Sequence, residues 1–146
     1  MLIELPPEYS FSIDQQDSRS TFAAVVYLLH DNAPKRRRYN YGHTPNAIGR
    51  VILERTSDGR YQTHSSLEPK YRGKGLGALT YAAAIDFALT HGYHVRCSYN
   101  RSDSAAKVWS GRTLRQFFRI KSRRITWGSL PRQSKLIYHA YPKDTP

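Results

Sequence analysis

The sequence predicts an α/β (α+β) domain with a mixed, mostly antiparallel sheet of about six or seven strands and two main helices. Three observations predict it. Apolar runs with alternating or β-branched character fill the first half of the chain, and an Asp58-Gly59 pair joins two of them. Between residues 60 and 100 the order is strand, glycine-rich break, helix and strand, which demands a parallel crossover.

Taken in order, YSFSIDQ (9–15) alternates Tyr, Phe and Ile with small or polar partners, the period-two pattern of a half-buried strand. TFAAVVYLLH (21–30) is rich in β-formers and is soon followed by Pro34, which favours a buried strand over a helix. NAPKRRRYNYGHTPN (32–46) reads as a long exposed loop whose consecutive cations Lys35, Arg36, Arg37 and Arg38 form a candidate contact surface. AIGRVILER (47–55) and RYQTHSSL (60–67) are the arms of an antiparallel hairpin.

The surest helix follows the break EPKYRGKGLG. Leu76, Leu79, Ala83 and Phe87 recur at helical intervals, and Gly92 stands where a left-handed residue closes a helix. HVRCSYN (94–100) is a short strand. A second helix is expected from Ser102 or Asp103, whose side chains can cap it, through AAKVWSGRTLRQFF, with Gly111 weakening its middle. FRIKSRRITW (118–127) and KLIYHAY (135–141) are the last two strands, parted by Gly128, Ser129 and Pro131.

Composition bounds the chemistry. At 146 residues and 39% apolar content the chain suits one domain spanning 1–146. No apolar run approaches the roughly 20 residues that cross a bilayer, and Met1 to Tyr9 carries Glu4 and two prolines in place of a basic then apolar leader, so a soluble, cytoplasmic protein is expected. A lone Cys97 forms no internal disulfide and has no paired His motif to make it a nucleophile. The six histidines lack metal-binding spacing, so no metal is expected. A net charge of +12 points to an acidic partner, whether nucleic acid, an acidic protein surface or a phosphate-rich small molecule.

The residues Tyr71-Arg72-Gly73-Lys74-Gly75-Leu76-Gly77 carry the most information. Alternate glycines let backbone approach a ligand closely, and their N–H groups, backed by a helix N-terminus, aim partial positive charge at an anion. Arg72 and Lys74 add side-chain cations. A nucleoside-triphosphate P-loop does not fit, because Glu68 stands where its first glycine belongs and Gly75 where its Ser or Thr belongs. A dinucleotide fingerprint over Gly73, Gly75 and Ala78 lacks its carboxylate, since His94 to Asn100 holds no Asp or Glu.

The stretch L-x-P-x-Y-R-G-K-G-L-G-x-L closely resembles the acetyl-coenzyme A (acetyl-CoA) signature of the GNAT acetyltransferase superfamily, with Arg72, Gly75 and Gly77 at its core. The resemblance runs from about residue 47 to 118. It implies splayed central strands with the acyl group between them, backbone N–H groups from Gly73 through Leu76 to Ala78 on the pyrophosphate, and the Leu67 backbone beside the pantetheine arm. It also implies a cofactor helix starting at Ser102, in which Trp109 stands where many members place a proton-donating tyrosine. An indole N–H donates a hydrogen bond but is no acid at neutral pH. Only Gln16 to Ser20 separates the first two strands, where the family carries more helix, so the acceptor side must be built differently.

The function expected is N-acetyl transfer from acetyl-CoA to an amine, the candidates being a protein lysine or N-terminus and a small-molecule amine. Glu54, His64 and Glu68 are candidate bases on the hairpin, and Tyr99 or Ser98 replacement acids. Two other readings stand beside it: a GNAT-shaped module without catalysis, and a nucleic-acid binder using Lys35 to Arg38, Tyr39 and Tyr41 with Arg112, Arg115, Arg119, Lys121, Arg123 and Arg124.

Overall fold

The first hairpin sets the frame. In a computed structural model that describes residues 3–16, 22–33 and 45–143, β1 (Tyr9–Gln15) pairs antiparallel with β2 (Phe22–His30), Tyr9 opposite His30. The cations Lys35, Arg36, Arg37 and Arg38, with Tyr39 and Tyr41, lie outside the described residues. β2 then pairs with β3 (Ala47–Arg55), and β3 with β4 (Tyr61–Leu67), through the expected tight turn. There Gly59 takes φ 77°, and the Thr56 N–H donates to the Arg60 carbonyl at 2.8 Å. Val51 and Leu53 are buried while Ile52 and Glu54, which alternate with them, are half-buried, so the period of two read from the sequence sorts the faces.

Helix α1 (Leu76–Thr90) packs on β2, β3 and β4 and also meets α2 (Asp103–Ser110) and α3 (Arg112–Phe117). Covered on two sides, it buries more than one stripe. Tyr81, Ala82, Ala84 and Ile85 join Leu76 and Ala83 in the interior, whereas the expected stripe members Leu79 and Phe87 are half-buried. Gly92 adopts φ 76° beyond the helix end, as its position predicts.

The single second helix expected from Ser102 to Phe118 is instead two. Gly111 leaves the helical region with ψ −177°, so α2 stops at Ser110 and α3 starts at Arg112. A Cβ at 111 would lie 2.7 Å from the Lys107 carbonyl oxygen, so the break accommodates only glycine without movement. The Ser102 side chain caps α2 as predicted, accepting from the Ala105 N–H at 3.2 Å.

The seven strands stand in the order β1-β2-β3-β4-β5-β7-β6, with β5 at Val95–Cys97, β6 at Phe118–Trp127 and β7 at Gln133–Pro142. Every neighbouring pair is antiparallel except β4 with β5, the product of the crossover through α1. β5 is shorter than the strand predicted over 94–100. It pairs with β4 only from Tyr61↔Val95 to Thr63↔Cys97, while β4 continues beside β3 to Gly49↔Leu67. From His64 to Leu67 the β5 side of β4 therefore faces no strand, and the sheet parts there.

Candidate active site

The parting matters because the glycine loop lies beside it. After Leu67 the chain makes one 3-10 turn, Pro69–Tyr71, anchored by Tyr71 in a buried cluster with Leu28, Ile48 and Leu76. Gly73 and Gly75 hold φ 80° and 78°, a region that costs other L-residues about 1–2 kcal/mol. Nothing lies within 4 Å of a Cβ placed on either, so their backbone borders open space. Gly75 is the N-cap of α1 and supplies no capping side chain, which leaves the first N–H groups of that helix to an outside acceptor.

These elements wall a cleft of about 530 Å³, within the size range of small-molecule sites. The signature residues Leu67, Arg72, Gly73, Gly75, Gly77 and Ala78 line one side of it, and Ser102 lines the α2 side. Arg72 folds back so that its Nε donates to the Leu67 carbonyl at 2.9 Å, tying the loop to the end of β4 while its guanidinium remains at the cleft wall. Open glycine backbone, an uncapped helix N-terminus and an arginine fit a diphosphate. In the gap behind them β4 offers a strand edge.

Not every signature residue reaches the cleft. Leu76 turns inward and is 1% exposed, and Lys74 sits with its Nζ 5.8 Å from the Tyr71 ring centroid. Trp109 is wholly buried, packed edge-on against Tyr81 with ring centroids 6.4 Å apart. Its indole belongs to the core.

The cleft also holds a phenol that the sequence reading missed. Tyr81 of α1 reaches its wall and donates its hydroxyl to Ser65 Oγ at 2.7 Å, where β4 runs free of β5. Burial pushes the Tyr81 phenol above its ordinary value of 10.0, so the group stays protonated at neutral pH. A Tyr in an otherwise Ala-rich buried helix was the available signal, because a buried hydroxyl needs a partner.

Alternation along β4 puts His64 on the opposite face from Ser65. There His64 Nε2 contacts the Glu54 carboxylate, which also accepts from Gln62 Nε2 at 3.2 Å. The other two candidates stand apart from this pair. Glu68 is 5% exposed where β4 leaves the sheet and does not line the cleft, and Tyr99 lies just past β5 with the Arg96 guanidinium 3.9 Å from its ring centroid. Ser98 is buried and Cys97 is a core thiol that accepts from the Tyr138 N–H at 3.3 Å. Among the described residues no three His, Cys, Asp or Glu side chains gather as metal ligands, and no helix is long and apolar enough to cross a membrane.

Solved structures share this fold. yncA of Salmonella typhimurium, a candidate acetyltransferase solved with its cofactor acetyl-CoA, superposes with TM-score 0.51 at 12% identity over 84% of this chain and 65% of that one. Ribosomal-protein-S5-alanine acetyltransferase from Vibrio fischeri superposes with TM-score 0.50 at 16% identity over 85% of this chain and 63% of that one. The chain has the GNAT fold. It spans a little under two thirds of the length of those GNAT proteins. No protein-family model and no curated protein matches the sequence. Within the GNAT fold, the parted strands and the glycine loop are the elements that this chain's signature predicts.

Proposed function

We propose that this chain is an N-acetyltransferase that moves an acetyl group from acetyl-CoA to an amine, with a protein lysine or N-terminus as the acceptor. The observation that carries it is the gap between β4 and β5, bordered on one side by the open glycine loop at the α1 N-terminus. When bound, acetyl-CoA supplies an activated thioester. The protein's own groups then have three tasks.

The loop amides and Arg72 hold the anionic end, which fixes the reactive end in the gap by orientation. On the helix side, Tyr81 holds a proton at its hydroxyl beside Ser65. On the other face, His64 backed by Glu54 offers a proton acceptor for an approaching ammonium. A donor on one face and an acceptor on the other, where β4 parts from β5 between them, suits a transfer in which the amine enters from one side and the thiol departs on the other.

The test is calorimetric titration with acetyl-CoA of the wild type and of an Arg72→Glu, Gly75→Glu double variant, followed by thiol release with a panel of lysine and N-terminal peptides. Micromolar binding lost in the variant, with thiol release from the wild type, supports the reading. Binding without thiol release from any amine favours a GNAT-shaped module that does no chemistry, and no binding sinks both.

A further inference from the structure

At the sheet edge two strands beyond β5, β6 carries Arg119, Lys121 and Arg123 at alternate positions, which places them on one face about 6.7 Å apart along the strand. Opposite them on β7 stand Tyr141, His139 and Ile137. Ile120 and Ala140, of the other parity, pack into the core, and so do Ile137 and Ile125 on the row's own parity, while Arg119, Lys121 and Arg123 themselves are exposed. The six-cation cluster read from the sequence is thereby divided: Arg112 and Arg115 belong to α3, and Arg124 has the opposite parity and donates to Ser134 Oγ at 3.0 Å.

Two further observations show that α3, β6 and β7 bring positive charge alone to this face, where Asp58 pairs with Arg96 of β5 at 3.9 Å. No Asp or Glu occurs between Asp103 and Asp144 in the sequence, so α3, β6 and β7 bring no carboxylate to it. His139, only 6% exposed, is held down to about 4 by burial first and then by the positive field of His94, Arg60, Arg123 and Arg96. Aromatic surface accompanies the charge. Arg119 and Lys121 both lie 5.6 Å from the Tyr141 ring centroid, and Trp127, on the same parity at the far end of β6, is 47% exposed.

We infer that this face of β6 and β7 binds single-stranded nucleic acid, the row Arg119, Lys121 and Arg123 gripping successive phosphates while Trp127 and Tyr141 stack on bases. An exposed indole beside a regular cationic row suits a ligand with both phosphates and free base faces. An acidic protein surface would use the cations and leave the indole idle. The inference is independent of acetyl transfer.

Fluorescence anisotropy of a labelled mixed-sequence single-stranded RNA 20-mer and its DNA counterpart tests it, with the matching duplex and polyglutamate as competitors. The wild type binds the single strands with an affinity that falls steeply with salt. An Arg119→Gln, Lys121→Gln, Arg123→Gln variant, its fold checked by circular dichroism melting, loses at least tenfold in affinity and flattens the log–log salt slope by roughly 2. Trp127→Ala loses about tenfold while keeping the slope. The inference is overturned if the wild type does not bind at low salt, if a folded triple variant binds as the wild type does, or if polyglutamate competes equally and Trp127→Ala changes nothing.

Discussion

The Tyr81 hydroxyl donates to Ser65 Oγ at 2.7 Å, joining α1 to β4 just beyond the last residue that β4 pairs with β5. This bond puts a protonated phenol where the GNAT fold opens, from a different helix than the one whose corresponding position holds Trp109. If the phenol protonates a departing thiolate, Tyr81→Phe lowers kcat with acetyl-CoA by about 10²-fold and leaves KM for acetyl-CoA unchanged. With a thioester of a more acidic thiol the deficit shrinks, because such a leaving group needs no proton. An equal loss with both donors would assign Tyr81 to packing.

Trp109 is expected to act through the core alone. It is fully buried against Tyr81, so Trp109→Ala costs about 3–5 kcal/mol in denaturant unfolding. Trp109→Phe, which keeps most of the volume, retains the larger part of that stability and of the thiol-release rate.

Gly49 sits on β3 opposite Leu67, and a Cβ there would come within 2.8 Å of both the Ser66 carbonyl oxygen and Leu67 Cδ1. Because one of these is backbone, the β3–β4 ladder must shift to admit it. Gly49→Ala is therefore expected to destabilise by about 1–3 kcal/mol and to weaken acetyl-CoA binding, since Gly49, Ser66 and Leu67 all line the cleft. Calorimetry and urea titration of the same sample read both effects.

His139 makes stability depend on pH. Its Nδ1 lies 3.1 Å from His94 Nε2, and burial holds it at about 4 in the folded chain against an ordinary 6.5. Between those values the unfolded chain takes up a proton that the native chain refuses. Its contribution is thus present above pH 6.5 and is lost as pH falls towards about 4. Urea midpoints measured across that window should decline more steeply for the wild type than for His139→Gln.

Much of this was legible in the sequence where local physics decides. The alternation in YSFSIDQ and AIGRVILER, the Asp58-Gly59 turn, the Ser102 cap and the Gly92 stop all answer to neighbours a few residues away. The glycine loop was legible because its conformation demands its residue type. What stayed hidden depends on distant partners. The length of the β4–β5 ladder is set by where α1 returns the chain, the wholly buried Trp109 by two helices closing on each other, and the Tyr81–Ser65 bond by a register that no local pattern encodes. Gly111 was visible as a weak point, but only its carbonyl neighbours turn weakness into a break.

The short parallel ladder from Tyr61↔Val95 to Thr63↔Cys97 has one more implication. Together with the still shorter β5–β7 ladder, from Val95↔Ala140 to Arg96↔His139, it makes β5 a thin seam between the β1–β4 meander and the β6–β7 hairpin. An occupant that bridges the seam acts as a clasp, and its affinity adds directly to the work of prying the halves apart. Filling the cleft and bracing the molecule against heat are, for this architecture, the same event.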